Sequence, residues 1–112
     1  MDIQAMVKRR TELNVLMTEN DAFFREFGAL DDKAYTDGAI DKKHKELMGL
    51  AISVVTRCDE CILYHINGCL TAGAGREEII EAIKIGVMGG GSITYPNARF
   101  AFNVLQELDM LE

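Results

Sequence analysis

Two cysteines three residues apart, Cys58 and Cys61, are followed four residues later by His65, and the segment in front of them has the apolar spacing of a helix. Leu47, Leu50, Ala51, Val54 and Val55 form that stripe, with Asp41 placed to cap its start and Arg57 near its end. This order excludes a thioredoxin arrangement, in which the dithiol follows a strand in a βαβ unit. On a helix, Cys58, Cys61 and His65 fall within roughly 60° of one another. Helical side chains lean toward the N-terminus, which lays the imidazole back over Cys61.

The remainder reads as helices in a single domain spanning 1–112. No segment alternates with period two for long enough to make a strand. A composition 48% hydrophobic but only 7% aromatic, without Trp, suits helices packed through Ala, Leu, Ile, Val and Met. Residues 2–27 predict a helix broken near Thr11 or Asn14 and stopped by Gly28, with Phe23, Phe24 and Phe27 as core or subunit contacts. Residues 29–37 predict an acidic helical turn and loop. Asp59 or Glu60 starts the helix that carries Cys61, Tyr64, His65 and Cys69 and ends near Ala72-Gly73. Cys58 therefore stands at a helix N-terminus, whose macrodipole favours a thiolate. Gly75-Arg76-Glu77-Glu78 opens the next helix, which is apolar nearly all round from Ile79 to Met88 and so should be enclosed, in part by other subunits. Gly89-Gly90-Gly91 ends it, and a last helix runs from about Ser92 to Met110 with Pro96 near its start.

A net charge of −6 opposes nucleic-acid binding. No run approaches the roughly 20 apolar residues that span a bilayer, and the first ten residues lack the apolar centre of a signal peptide. The expected compartment is the cytoplasm, where a Cys-x-x-Cys pair serves redox chemistry or a metal. In a redox site the thiolate is the reactive form, a base raises its population, and a second thiol resolves the sulfenic acid into a disulfide. A metal reading would use Cys58, Cys61 and His65 with Cys69 or His44, but a helix sets Cys58 and Cys69 about 16 Å apart along its axis. No metal or other cofactor is therefore expected. The third possibility is that these are packed small side chains with a satisfied core histidine, which is the reading for Cys69; His44 reads as a surface residue among lysines. Glu46 lies about 40° from Leu50 on the helical wheel and opens the buried side of the helix instead of facing straight out, although the helix alone still reads it as a solvated carboxylate paired with Lys42 or Lys43.

The combination of Lys42-Lys43-His44-Lys45-Glu46-Leu47, Cys58 to His65, Gly73-Ala74-Gly75-Arg76-Glu77-Glu78-Ile79 and Met88-Gly89-Gly90-Gly91 resembles the carboxymuconolactone decarboxylase / alkylhydroperoxidase D-like superfamily. The resemblance covers about 41–91 and implies an all-α helical bundle that associates as a homo-oligomer, trimer or hexamer. It implies a thiol-dependent peroxidase or disulfide oxidoreductase whose partners are a small hydroperoxide or a thiol/disulfide redox partner. The implied roles are attack by Cys61, resolution by Cys58, and a proton relay of His65 and Glu46, twelve residues before the first cysteine. Some members carry a histidine between the cysteines; here Asp59 and Glu60 stand there, and two acids beside the thiols oppose thiolate formation. The alternatives are a 4-carboxymuconolactone decarboxylase-like lyase, which does not need the dithiol, and a non-catalytic helical assembly or metal-binding protein.

Overall fold

The computed structural model describes residues 2–111, and among them every regular element is helical. Two units separate, Met1–Thr36 and Asp37–Glu112.

The first unit is a pair of helices, α1 (Ile3–Asn20) and α2 (Ala22–Ala34). The break expected near Thr11 or Asn14 lies instead at Asp21. Thr11 turns its hydroxyl back onto the Val7 carbonyl at 2.9 Å, so the helix passes through it. Asp21 is extended (φ −153°, ψ 126°) and its carboxylate accepts from the Phe23 N–H at 2.9 Å, so one residue ends α1 and caps α2. Gly28 does not stop the chain; it lies within α2, which continues to Ala34 before the turn that follows, so the helical part of 29–37 is longer than a single turn. Phe23, Phe24 and Phe27 are exposed, with the first two rings edge to face at 5.2 Å.

The second unit holds α3 (Lys42–Val55), α4 (Asp59–Thr71), α5 (Arg76–Gly90), a 3₁₀ turn at Ser92–Thr94 and α6 (Tyr95–Glu107). Helix α3 packs on both α4 and α5, and α6 closes against α4 and α5. The enclosed side chains are Leu50 and Val54 of α3, Ile62, Leu63 and Ile66 of α4, Ile79 and Ile83 of α5, and Ala101, Val104 and Leu105 of α6. Their spacing at three and four residues is that of one buried face per helix. Helices α3 and α5 approach closely at Gly86, where a Cβ would sit 2.6 Å from Val54 Cβ and 2.8 Å from the Ala51 carbonyl oxygen. Within the single chain, α5 leaves Ile85 and Met88 facing outward. It also runs through two of the three glycines and ends only at Gly91, which takes a left-handed φ of 80°.

Candidate active site

The dithiol is placed by the turn between α3 and α4. Arg57 takes a left-handed conformation (φ 57°), its N–H bonds to the Val54 carbonyl at 3.0 Å, and the Cys58 N–H reaches back to the Ser53 carbonyl at 3.0 Å. These two bonds make a Schellman motif, which closes α3 in the fewest residues. The next residue, Cys58, is at once the N-cap of α4, and its sulfur accepts from the Cys61 N–H at 3.2 Å. Cys58 and Cys61 form a disulfide across this first turn, with their Cα atoms 5.2 Å apart. Cys61 is exposed and Cys58 half-buried.

One turn further along α4, the His65 imidazole meets a carboxylate from α3. Its Nδ1 lies 3.2 Å from Glu46 Oε2, and the two side chains retain only 12% and 4% of their exposure. Glu46 is thus not the solvated carboxylate that the isolated α3 implied. It does pair with Lys42, whose Nζ lies 3.5 Å from Oε1, whereas Lys43 turns to Glu78 at 3.0 Å. What removes Glu46 from water is the packing of α4 over its tip. Nδ1–H donation to the carboxylate assigns the imidazole tautomer and leaves Nε2 as the basic nitrogen. Tyr64, half exposed, sets its ring edge-on to His65 at 5.2 Å between centroids.

Two contacts here have no clear sequence signal. Asn97, buried near the start of α6, donates its amide N–H to Asp59 Oδ1 at 2.8 Å and so ties an acid of the Cys-x-x-Cys motif to a helix 38 residues away. Gly68 lies on α4 against Glu46, and a Cβ there would come within 2.6 Å of the Glu46 carboxyl carbon. A glycine in the interior of a helix, three residues after a histidine, was the available hint.

The other cysteine and histidine lie apart from this chemistry. Cys69 is fully enclosed; burial, and then the nearby Glu46 and Glu78 charges, push its thiol up to about 12. His44 is exposed beside the N-cap Asp41, Nδ1 to Oδ1 2.6 Å. The His44 backbone N–H, and then its ring, hold the Asp41 carboxyl below the usual carboxylate range. Among the described residues, no group of three His, Cys, Asp or Glu side chains is placed to hold a metal ion.

Solved and curated proteins resemble this chain over most of its length. A crystal structure from Thermotoga maritima superposes with a TM-score of 0.90 at 43% identity, covering 95% of this chain and 94% of the other. A carboxymuconolactone decarboxylase family protein from Legionella pneumophila, solved in its apo form, gives a TM-score of 0.83 at 31% identity, covering 94% and 95%. An alkyl hydroperoxide reductase from Rhodococcus erythropolis is 34% identical over 88 residues, 68% of this chain but 49% of the reductase, so this chain matches about half the length of that relative. Residues 21–107 match the carboxymuconolactone decarboxylase family, and the chain belongs to that family.

Proposed function

We propose that this chain is a thiol-dependent oxidoreductase of the alkylhydroperoxidase D-like type, reducing a small hydroperoxide or a partner disulfide through Cys58 and Cys61. The observation that carries the reading is the Cys58–Cys61 disulfide at the mouth of α4, with a buried histidine–carboxylate pair one turn behind it. The likeness to an alkyl hydroperoxide reductase supports it.

In the reduced enzyme, His65 Nε2 takes the proton of the exposed Cys61 thiol, and Glu46 stabilises the imidazolium through Nδ1–H. The Cys61 thiolate attacks a peroxide oxygen; an S–O bond forms as the O–O bond breaks. The departing alkoxide takes the proton back from His65 and leaves as an alcohol. Cys61 is now a sulfenic acid. The Cys58 thiol displaces its hydroxyl as water, forming the disulfide. Two thiol–disulfide exchanges with a dithiol donor, of which lipoyl-type dithiols are the class this reading favours, return both thiols and oxidise the donor. This cycle fits a reducing compartment, the cytoplasm.

The same reading has copies of the chain assemble, as a trimer or hexamer, over the outward face of α3 and α5. Met48, Ile52 and Val55 of α3 and Ile85 and Met88 of α5 are exposed there, beside a groove of about 360 Å³. Light scattering that finds only a monomer at micromolar concentration would remove that part.

The test of the activity is mass spectrometry of the reduced protein after one equivalent of hydroperoxide. The expected result is loss of two thiols, Cys58 and Cys61, per peroxide consumed. Persistence of both thiols with the peroxide unconsumed overturns the assignment. Lactone decarboxylation that survives a Cys58→Ser/Cys61→Ser double substitution would assign the lyase activity instead.

A further inference from the structure

Gly68 is a costly residue for its position. It is well inside α4 (Asp59–Thr71), where glycine is less favourable than alanine, and neither a turn nor a left-handed φ requires it. What it faces is the Glu46 side chain. A Cβ at position 68 would be nearest Glu46 Oε2, 2.6 Å from Cδ and 3.2 Å from Oε1. Every one of these atoms belongs to the carboxyl group, and none to backbone. The same Oε2 is the atom that meets His65 Nδ1.

We infer that Gly68 is a positioning residue of the redox site: its missing side chain is the slot through which the Glu46 carboxylate crosses α4 to reach His65. The inference rests on the proposed function above for its consequence, though not for its geometry. Residues 65 and 68 are three apart on one helix and share a face, so the histidine and the slot move together. Glu46 ends a flexible side chain, so a methyl group at 68 need not break the fold. The carboxylate can swing aside, and the contact it gives up is the one to His65. The sequence motif that carries chemistry therefore extends three residues past the histidine.

The experiment compares Gly68→Ala, Glu46→Ala and the double variant. In Gly68→Ala, the downfield proton resonance of the His65 Nδ1–H that Glu46 accepts should disappear as it does in Glu46→Ala, while the far-ultraviolet spectrum stays helical. Peroxide-dependent oxidation of Cys61 should fall at least about tenfold, less than the roughly 10²–10⁴ that a positioned base supplies, because His65 itself remains and loses only its carboxylate partner. Adding Gly68→Ala to Glu46→Ala should cost nothing further in rate or melting temperature, since the group it collides with is gone. Should Gly68→Ala alone fail to fold, a double variant that folds like Glu46→Ala still supports the slot. A Gly68→Ala protein that keeps the His65 resonance overturns it, and so does a double variant markedly worse than Glu46→Ala. Resonances that behave as expected in a protein that never consumes peroxide would leave the slot standing and remove only the peroxidase reading.

Discussion

Removing the imidazole at position 65 tests whether the Glu46–His65 contact holds this part of the protein together. In His65→Ala, the Glu46 carboxylate stays buried, at 3% residue exposure, and keeps the longer contact to Lys42 at 3.5 Å. A buried charged acceptor that loses a hydrogen bond costs on the order of 2 kcal/mol. Loss of the ring's packed surface, 12% exposed in the native state, adds about 1 kcal/mol. The expected total is about 3 kcal/mol, or a melting temperature lower by about 12 °C for a domain of this length. His65→Asn separates structure from chemistry. Its Nδ2 stands near the former Nδ1 and can still donate to Glu46, so the stability loss should stay within about 1 kcal/mol. An amide cannot carry the proton, however, and thiol oxidation by peroxide should fall by about 10²-fold or more in both variants. The assay is urea denaturation of the oxidised proteins at pH 7, run beside peroxide consumption by the reduced ones. If His65→Ala unfolds at the same urea concentration as the parent, or His65→Asn is as unstable as His65→Ala, the carboxylate does not depend on a donor at 65 and the reasoning fails.

The enclosed Cys69 should stay unmodified by iodoacetamide at pH 8 in the reduced native protein while Cys58 and Cys61 react. Its thiol is raised from about 9 to about 12, so its contribution to stability is complete below pH 9 and declines as the pH climbs toward 12; Cys69→Ala should flatten that alkaline decline in a melting series. Glu78 shows the opposite sign. The Gly75 N–H at 3.0 Å and then Lys43 hold its carboxyl below the usual range, so the stability it contributes is present above pH 4.5 and lost in acid. Glu78→Gln should melt below the parent at pH 7, and the gap should close in strong acid. Arg57→Gly relieves a left-handed residue and should stabilise by about 0.5–1 kcal/mol, read as a higher denaturation midpoint. Gly86→Ala should do the reverse, losing about 1–3 kcal/mol by overpacking against Val54 and Ala51; an unchanged midpoint would mean that α3 and α5 separate freely.

The turn chemistry gives the site its economy. The first two residues past the α3 C-cap do two jobs in succession: Arg57 reverses the chain and Cys58 caps α4. Position 57 is thus strained beside the dithiol, a common arrangement where a side chain must be aimed. At the far end of α4 the same motif recurs with Gly73 in the left-handed place (φ 90°), its Ala74 N–H bonding the Cys69 carbonyl at 2.9 Å.

Local signals were sufficient for the all-α class, for Asp41 as a helix cap and for Cys58 at the start of α4, because periodicity and capping are interactions between residues a few positions apart. The spacing of Cys58 and Cys61 likewise made the disulfide geometrically available, since three residues is one helical turn. The α1–α2 break is not legible in the sequence, because Thr11 and Asn14 differ little from Asp21 until the fold decides which side chain caps and which bonds back onto its own helix. Glu46 shows the larger limit. Read along α3 it stands at the edge of the buried side, with a lysine four residues before it to hold it in water. Only the crossing of α3 and α4 brings it to a histidine 19 positions later and shuts out the water that would otherwise solvate it. Gly68 and Asn97 have the same origin: one is a gap shaped by another helix's side chain, and the other a hydrogen bond spanning 38 residues. Burial and long-range contact are properties of packed elements, and no local pattern encodes which atom will lie opposite which.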